Sequence, residues 1–191
     1  NHCQPEEIIV DAGADSLILL ALRLCVNPGD TVVCTAGSYP TFRYFAEGVG
    51  AQLREIPYRA HAGGLRPDWQ ALVEAANAEQ AALLYLANPD NPTGHLWSGE
   101  VVAQLRAALN PDTLLLLDEA YLDFAEPTER PADGPLPGVL RLRTLSKAYA
   151  LAGARVGYAL ADVALIDKAD QIRPQFAVSS WAQAAAHTVL A

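Results

Sequence analysis

Methionine is absent from the 191 residues, and cysteine occurs only three times. An odd number of cysteines without paired spacing argues against a disulfide framework or a cysteine zinc site, so the thiols are expected to be reduced and mostly buried. The four histidines are scattered without metal-ligand spacing, and we expect no metal. These residues are Cys3, Cys25, Cys34, His2, His61, His95 and His187.

Positive charge is also scarce, because 13 lysines and arginines face 22 acidic residues and give a net charge of -9. Such a balance argues against non-specific binding to nucleic acid or to an anionic membrane surface. No apolar run is long enough to span a bilayer, and no signal-peptide pattern is found. We therefore expect no nucleic-acid or membrane partner, and a cytoplasmic location.

The hydrophobic fraction is 51% and the charged fraction 18%, which is typical of a globular chain. Short apolar runs alternate with longer segments of helical periodicity, which indicates an α/β domain with a mostly parallel, seven-stranded sheet flanked by helices. Strands are predicted at residues 8–10, 31–34, 52–56, 82–86, 114–117, 139–142 and 156–160. Helices are predicted at 16–26, 39–49, 68–77, 98–109, 163–172 and from 179 onward, with a polar loop at 57–67.

The strand at 114–117 is entirely apolar and is predicted to be central, with both faces covered. It leads directly into Asp118, whose carboxylate would be costly to bury without a partner. That partner could be a protonated ring nitrogen of a ligand or the cation of a structural salt bridge. Glu119 is predicted to be structural.

Other polar residues also follow predicted strands, where ligands bind in open α/β sheets. The segment Gly13-Ala14-Asp15 precedes a helix, so its backbone could bind an anion, or Asp15 could simply be an N-cap. Tyr39 could stack on a flat ligand or belong to the core. Asn91 lies in a loop stiffened by two prolines and could bind a ligand or stabilise the loop, whereas Asn88 reads as a turn residue.

The most informative segment is 143–158, in which Lys147 is flanked by hydroxyl residues and by an arginine. The hydroxyls of Thr144 and Ser146 and the guanidinium of Arg155 are donors that suit a phosphate. A lysine amine beside them can form a Schiff base with a carbonyl group. A phosphate and an aldehyde on one ligand describe pyridoxal 5'-phosphate, although a lone loop lysine is more often a solvated cation.

The run Thr-Leu-Ser-Lys-Ala-Tyr-Ala-Leu-Ala-Gly-Ala-Arg-Val-Gly-Tyr resembles the Schiff-base lysine segment of class I/II aminotransferases, in the aspartate aminotransferase superfamily. Within that family it is most similar to the histidinol-phosphate aminotransferase branch. The resemblance extends over most of the chain from Ile8 onward. It implies that residues 1–191 are the large cofactor-binding domain of a longer enzyme, without the N-terminal segment and the C-terminal small domain.

The resemblance also implies a role for each candidate residue. Lys147 would carry the cofactor, Asp118 would pair with its ring nitrogen, and Tyr121 would donate to its phenolic oxygen. These three are the expected catalytic residues. The others would bind the cofactor: Asn91 at the phenolic oxygen, Tyr39 on the ring face, and, at the phosphate, Thr144, Ser146, Arg155 and the backbone of Ala14 and Asp15. Ser16 replaces the acidic residue usual in the family, which matters little for a main-chain contact.

The implied reaction is transamination between a 2-oxo acid and an amino acid or amino-alcohol phosphate, of the histidinol-phosphate or aromatic type. The resemblance further implies a homodimer. Three alternatives stay open: a pyridoxal-phosphate decarboxylase of the threonine-phosphate type, an inactive cofactor-binding fragment, and a binding protein with a degenerate site. The three tryptophans, Trp69, Trp97 and Trp181, are predicted to be packing residues.

Overall fold

The computed structural model describes residues 3–131 and 134–191. His2 therefore lies outside the described residues. In chain order the strands are β1 (Ile8–Asp11), β2 (Thr31–Thr35), β3 (Gln52–Ile56), β4 (Arg59–His61), β5 (Gly64–Arg66), β6 (Leu83–Ala87), β7 (Leu114–Asp118), β8 (Val139–Thr144) and β9 (Gly157–Leu160). The helices are α1 (Ala14–Cys25), α2 (Pro40–Gly48), α3 (Trp69–Ala78), α4 (Gly99–Ala108), α5 (Val163–Asp170) and α6 (Ser180–Leu190). Every strand and helix predicted from the sequence is confirmed within two residues at each end.

One seven-stranded sheet has the order β1-β9-β8-β7-β6-β2-β3. Neighbouring strands are parallel except at β9, which runs antiparallel to both β8 and β1. The apolar strand β7 is the middle strand, as predicted, and all five of its residues are buried. Because β9 is reversed, its first residue lies at the same edge of the sheet as the last residue of β8.

Helices cover both faces of this sheet and give a three-layer α/β fold. On one face, α1, α2 and α5 contribute Leu17, Phe42 and Ile166 to a core with the inward side chains of the strands. On the other face, α3 and α4 contribute Leu72 and Leu105 to a second core. Both cores pack against the strands whose carboxyl ends meet at one edge of the sheet.

Side-chain caps determine where most of the helices begin. Asp68 accepts a hydrogen bond from the Ala71 N–H at the start of α3, and Ser98, Asp162 and Ser179 do the same for α4, α5 and α6. Such caps satisfy backbone donors that have no partner inside the helix. Helix α1 differs, because its N-cap is Gly13, which has no side chain to occupy those donors.

Two sequence predictions were incomplete. The segment predicted as a polar loop contains the β4–β5 hairpin. Its three-residue strands are mostly exposed and lack the alternation of apolar and polar residues from which a strand is predicted. Trp181 is 86% exposed on α6 and is therefore not a packing residue within this chain.

None of the helices in the described ranges has both the length and the apolarity needed to cross a membrane.

Candidate active site

A cleft lies at the edge of the sheet where the parallel strands end. All the residues predicted to bind or act on a ligand line it, together with Ala87, Pro89 and Ala120, which the sequence did not single out. The predicted residues follow β1, β2, β6, β7 and β8, and the reversed β9 places Arg155 at the same edge. The fold thus brings together the ten predicted side chains and backbone groups, which are Ala14, Asp15, Tyr39, Asn91, Asp118, Tyr121, Thr144, Ser146, Lys147 and Arg155.

One end of the cleft is rich in hydrogen-bond donors. The Thr144 hydroxyl lies 3.0 Å from Ser146 Oγ, and Arg155 Nη1 lies 3.4 Å from the same oxygen. The N-terminus of α1 faces this group through Ala14 and Asp15, where the first backbone N–H groups lack intrahelical partners. This arrangement of hydroxyls, guanidinium and helix N-terminus suits a bound anion.

Two glycines make this end of the cleft possible. Gly13 has a φ of +92°, and a Cβ there would lie only 2.5 Å from Arg155 Nη2. A Cβ on Gly157 would lie 2.8 Å from the backbone nitrogen of Ala14. Both positions therefore require glycine if α1, Arg155 and β9 are to approach one another this closely.

Asp118 is 6% exposed at the end of β7 and lines the cleft with a buried acidic group. Its Oδ2 accepts a hydrogen bond of 2.7 Å from the Tyr85 hydroxyl, and its Oδ1 accepts one of 3.0 Å from the Ala120 N–H. Burial raises the pKa of Asp118 above its ordinary value, and the two hydrogen bonds oppose that rise. The described contacts of Asp118 are these two hydrogen bonds, and no ion pair is found for it among the described residues.

Lys147 and Tyr121 form the rim of the cleft. The Lys147 ammonium lies 5.3 Å from the centroid of the Tyr121 ring, a cation–π distance. Lys147 belongs to the irregular segment after β8 and is exposed. An exposed amine near aromatic and hydroxyl groups is accessible to a ligand that enters the cleft.

Tyr39 ends the loop between β2 and α2, and its hydroxyl donates a 2.9 Å hydrogen bond to Asp15 Oδ1. Burial is the main cause that raises the pKa of Tyr39. The hydrogen bond fixes the phenol ring beside the N-terminus of α1. Its ring is therefore half-buried at the cleft wall, which agrees with either of the two predictions made for it.

Asn91 lies in a loop that its neighbours hold rigid. Asp90, which is 3% exposed, accepts hydrogen bonds from the Thr93 hydroxyl at 2.6 Å and from the Tyr58 hydroxyl at 3.3 Å. Asn88 exchanges two hydrogen bonds with the backbone of Trp97, as expected for a turn residue. Asn91 lines the cleft instead, so this loop presents one amide to a ligand and uses the other for its own structure.

Glu119 points away from the cleft into a buried cluster of charges. Its carboxylate lies 2.7 Å from Arg141 Nη2 and 2.9 Å from Arg143 Nε. This geometry confirms the structural role predicted for it. Among the residues that the structure describes, no group of three or more potential metal ligands is found.

Sequence reasoning missed two residues that shape the cleft, Tyr85 and Asp90. Tyr85 lies inside a predicted apolar strand and was not considered. A hydroxyl on a strand covered on both faces requires a hydrogen-bond partner, and this requirement was the signal that could have identified Tyr85. Asp90 stands beside Asn91 and was treated as part of a stiff loop. Its hydrogen bonds show that the loop depends on it as well as on the prolines.

A family model described as aminotransferase class I and II matches residues 2–191 of the chain. Histidinol-phosphate aminotransferase 2 of Carboxydothermus hydrogenoformans is 36% identical over 192 residues, which cover 97% of this chain and 51% of that protein. Histidinol-phosphate aminotransferase 2 of Ralstonia nicotianae is 37% identical over 188 residues, with 96% and 49% covered. The chain thus spans about half the length of the curated relatives it matches.

Two solved structures also resemble this chain. The crystal structure of histidinol-phosphate aminotransferase from Sinorhizobium meliloti in complex with pyridoxal-5'-phosphate superposes with a TM-score of 0.91 at 41% identity, covering 98% of this chain and 51% of that one. L-threonine-O-3-phosphate decarboxylase from Porphyromonas gingivalis superposes with a TM-score of 0.80 at 19% identity, covering 98% of this chain and 56% of that one. The second likeness supports the fold alone.

Proposed function

Since the chain belongs to the aminotransferase class I and II family, we propose that it is the pyridoxal-phosphate-binding large domain of a transaminase. The reaction would move an amino group between a 2-oxo acid and an amino acid or amino-alcohol phosphate of the histidinol-phosphate or aromatic type. The proposal rests on one observation: Lys147, Asp118 and the donor-rich end line the same cleft. The names of the relatives support the substrate class.

The residues of the cleft fit the cofactor. The cleft encloses about 540 Å³ when the part open to solvent is counted. Its charges also complement the cofactor, because the donor-rich end suits a phosphate and the buried carboxylate suits a protonated ring nitrogen. Gly13 and Gly157 leave the space in which the phosphate-binding groups converge.

When bound, pyridoxal phosphate supplies an aldehyde that condenses with amines and a ring that accepts electrons. Asp118 would hold a proton at the ring nitrogen, and Asn91 and Tyr121 would donate hydrogen bonds to the phenolic oxygen. Tyr39 would cover one face of the ring. The phosphate would be bound by the hydroxyls of Thr144 and Ser146, the guanidinium of Arg155 and the backbone N–H groups of Ala14 and Asp15.

Lys147 would have two functions in this scheme. Its amine would hold the cofactor covalently before substrate arrives. Once freed, the same Nζ would take the proton from the substrate α-carbon and later return one, which is general base and then general acid catalysis. The cation–π contact with Tyr121 places the amine at the cleft.

The decisive variant is Lys147→Ala in the longest available form of the protein. We expect the absorbance of the lysine-linked cofactor to disappear and turnover to fall by more than ~10⁴-fold, since both the covalent anchor and the acid–base group are lost. Lys168 is the second of the two lysines in the sequence and is exposed on α5, so Lys168→Ala is the matched control and should leave both signals intact. An unchanged spectrum and rate in Lys147→Ala would refute the proposed function.

Decarboxylation of a phosphorylated amino acid is not favoured, because relatives above 30% identity carry aminotransferase names. Analysis of the products distinguishes the two reactions directly. A transaminase yields a 2-oxo acid or a ketone from the donor and an amino acid from the acceptor, whereas a decarboxylase releases CO₂ from its substrate. We also propose that the active form is a homodimer, which sedimentation of the protein would test.

A further inference from the structure

The strand β6 carries one polar side chain, Tyr85, among leucines and an alanine. Tyr85 is fully buried, with 0% exposure, and its strand is covered on both faces. A phenol in that position needs a hydrogen-bond acceptor within the protein. Burial also raises the pKa of Tyr85 well above its ordinary value, so that the hydroxyl remains protonated and acts as a donor.

The register of the sheet determines which acceptor it meets. In the parallel pair of β6 and β7, Tyr85 lies opposite Leu116 and Ala87 lies opposite Asp118. Since side chains two residues apart share a face, Tyr85 and Asp118 lie on the same face of neighbouring strands. The hydroxyl lies 2.7 Å from Asp118 Oδ2, while the Ala120 N–H lies 3.0 Å from Oδ1.

These two donors fix the orientation of the carboxylate. Each oxygen of an ionised carboxylate has about two acceptor positions, so one position on each oxygen stays available to the cleft. The phenol ring is itself held in place, because it stacks on Phe42 with a centroid distance of 4.3 Å and an interplanar angle of 14°. Phe42 belongs to α2 and is 1% exposed. The packing of α2 therefore determines where the hydroxyl points.

We propose that Tyr85 is a positioning residue, whose hydroxyl sets both the orientation and the charge of Asp118 toward the ring nitrogen of the cofactor. The inference rests on the proposed function, since it assigns to Tyr85 a role in the same site. A carboxylate that remains ionised leaves the proton on the ring nitrogen, and a ring that carries this proton accepts electrons better.

The charges around Asp118 support this role. Burial, Asp15 and Glu119 all raise the pKa of Asp118, whereas Tyr85 has the largest effect among the groups that lower it, followed by Ala120. Glu119 is paired with Arg141 and Arg143, which limits its influence. Tyr39 also faces this region, but its hydroxyl donates to Asp15. Tyr85 is therefore the side chain with the most direct control over the ionisation of Asp118.

The test begins with cofactor-free protein, so that it does not depend on catalysis. Aspartate labelled at the carboxyl carbon is followed by NMR as a function of pH, and the Asp118 signal is assigned by its absence in Asp118→Asn. In Tyr85→Phe we expect an upward shift of the Asp118 pKa relative to the parent protein. Difluorotyrosine at position 85, which keeps the ring and strengthens the donor, should shift it downward.

A second measurement uses protein loaded with cofactor that is labelled at the ring nitrogen. In Tyr85→Phe the protonated fraction of that nitrogen should fall, and kcat should decrease roughly ten- to a hundredfold, the range for losing a hydrogen bond to a charged group. Tyr58→Phe is the matched control, because it removes a tyrosine hydroxyl that donates to a different buried aspartate, Asp90. It should leave the Asp118 titration unchanged.

The outcomes separate this inference from the proposed function. The positioning role is overturned if neither Tyr85→Phe nor difluorotyrosine changes the pKa of Asp118. It is also overturned if Tyr85→Phe leaves the protonated fraction of the ring nitrogen unchanged. If Asp118 responds to Tyr85 but the protein binds no pyridoxal phosphate, the proposed function fails while the coupling between the two side chains stands. Phe42→Leu loosens the Tyr85 ring but keeps its hydroxyl, so it should raise the pKa of Asp118 by less than Tyr85→Phe does.

Discussion

At the scale of the residue, Asp118 shows how position decides chemistry. Glu119 is its neighbour and also an acid, yet it points to the opposite face of the sheet and is neutralised by two arginines. Asp118 instead meets two hydrogen-bond donors and an open cleft. The acid without a cation is thus the one placed to pair with a cationic ligand.

Asp118→Asn should therefore separate binding from turnover. The phosphate-binding end and Lys147 remain, so most of the cofactor should be retained, but an amide cannot hold the proton on the ring nitrogen as a carboxylate does. We expect kcat to fall by at least about a hundredfold, the usual effect of losing one electrostatic contact at a reacting centre. Cofactor content by absorbance and steady-state rates measure the two effects. Asp167→Asn on the exposed face of α5 is the control, and equal losses of cofactor and rate would contradict the assignment.

The same variant predicts a change in how stability depends on pH. Burial raises the pKa of Asp118 in the folded, cofactor-free protein, so the folded state holds this proton more tightly than the unfolded chain. The contribution of that proton to stability is present at low pH and declines as pH rises from the ordinary aspartate pKa through the raised one. Melting temperatures across that window should decline less in Asp118→Asn, and parallel profiles would argue against the burial effect.

At the scale of the element, β7 and β8 are joined by more than backbone hydrogen bonds. Glu119 at the end of β7 binds two arginines of β8, and Arg141 Nη1 also donates to the Gly134 carbonyl at 2.6 Å. Both Glu119 and Arg141 are 1% exposed. The cluster joins β7 to β8 one residue beyond Asp118 and three before Thr144. These two strand ends bring the buried acid and the donor-rich end to the cleft.

Glu119→Gln should destabilise the protein by about 3–5 kcal/mol, because it removes the negative charge from a buried ion-pair cluster with Arg141 and Arg143. Chemical denaturation followed by circular dichroism measures the free energy of unfolding. Glu126→Gln, at an exposed position of the following loop, serves as the comparison and should be near neutral. A loss below about 1 kcal/mol for Glu119→Gln would mean that the cluster contributes little beyond packing.

The elements also show what a sequence can and cannot predict. The apolar run at 114–117 predicted a central strand, and the helices predicted from 68 and 98 begin within a residue of those positions, because both patterns are local. The reversed direction of β9 and the hydrogen bond from Tyr85 to Asp118 join residues distant along the chain, and no local pattern encodes them. The candidate site was predictable because its residues follow successive strands and match a known segment. The contacts that orient it were not.

At the scale of the whole molecule, the cleft is open and its positive charges are few. In the described part of the chain, the cationic residues that line it are Lys147 and Arg155, and each has a proposed role toward the cofactor. No lining cation is then left to bind the carboxylate of a substrate, which usually takes an arginine with its planar pair of donors. The Arg155 side chain is also 47% exposed, so solvent reaches the donor-rich end of the cleft.

We therefore expect residues 1–191 alone to bind pyridoxal phosphate through Lys147. Their turnover of an amino donor should be at least ~10²-fold slower than that of a longer protein that carries this chain, because substrate orientation contributes much of the rate. Absorbance of the bound cofactor and a panel of donors, including histidinol phosphate and aromatic amino acids, measure the two properties. Lys147→Ala in the same 191 residues is the control for specific binding. Equal turnover by both forms would mean that the described cleft already contains every group the reaction needs, and that one of its neutral donors, such as Asn91 or Ser146, binds the substrate carboxylate.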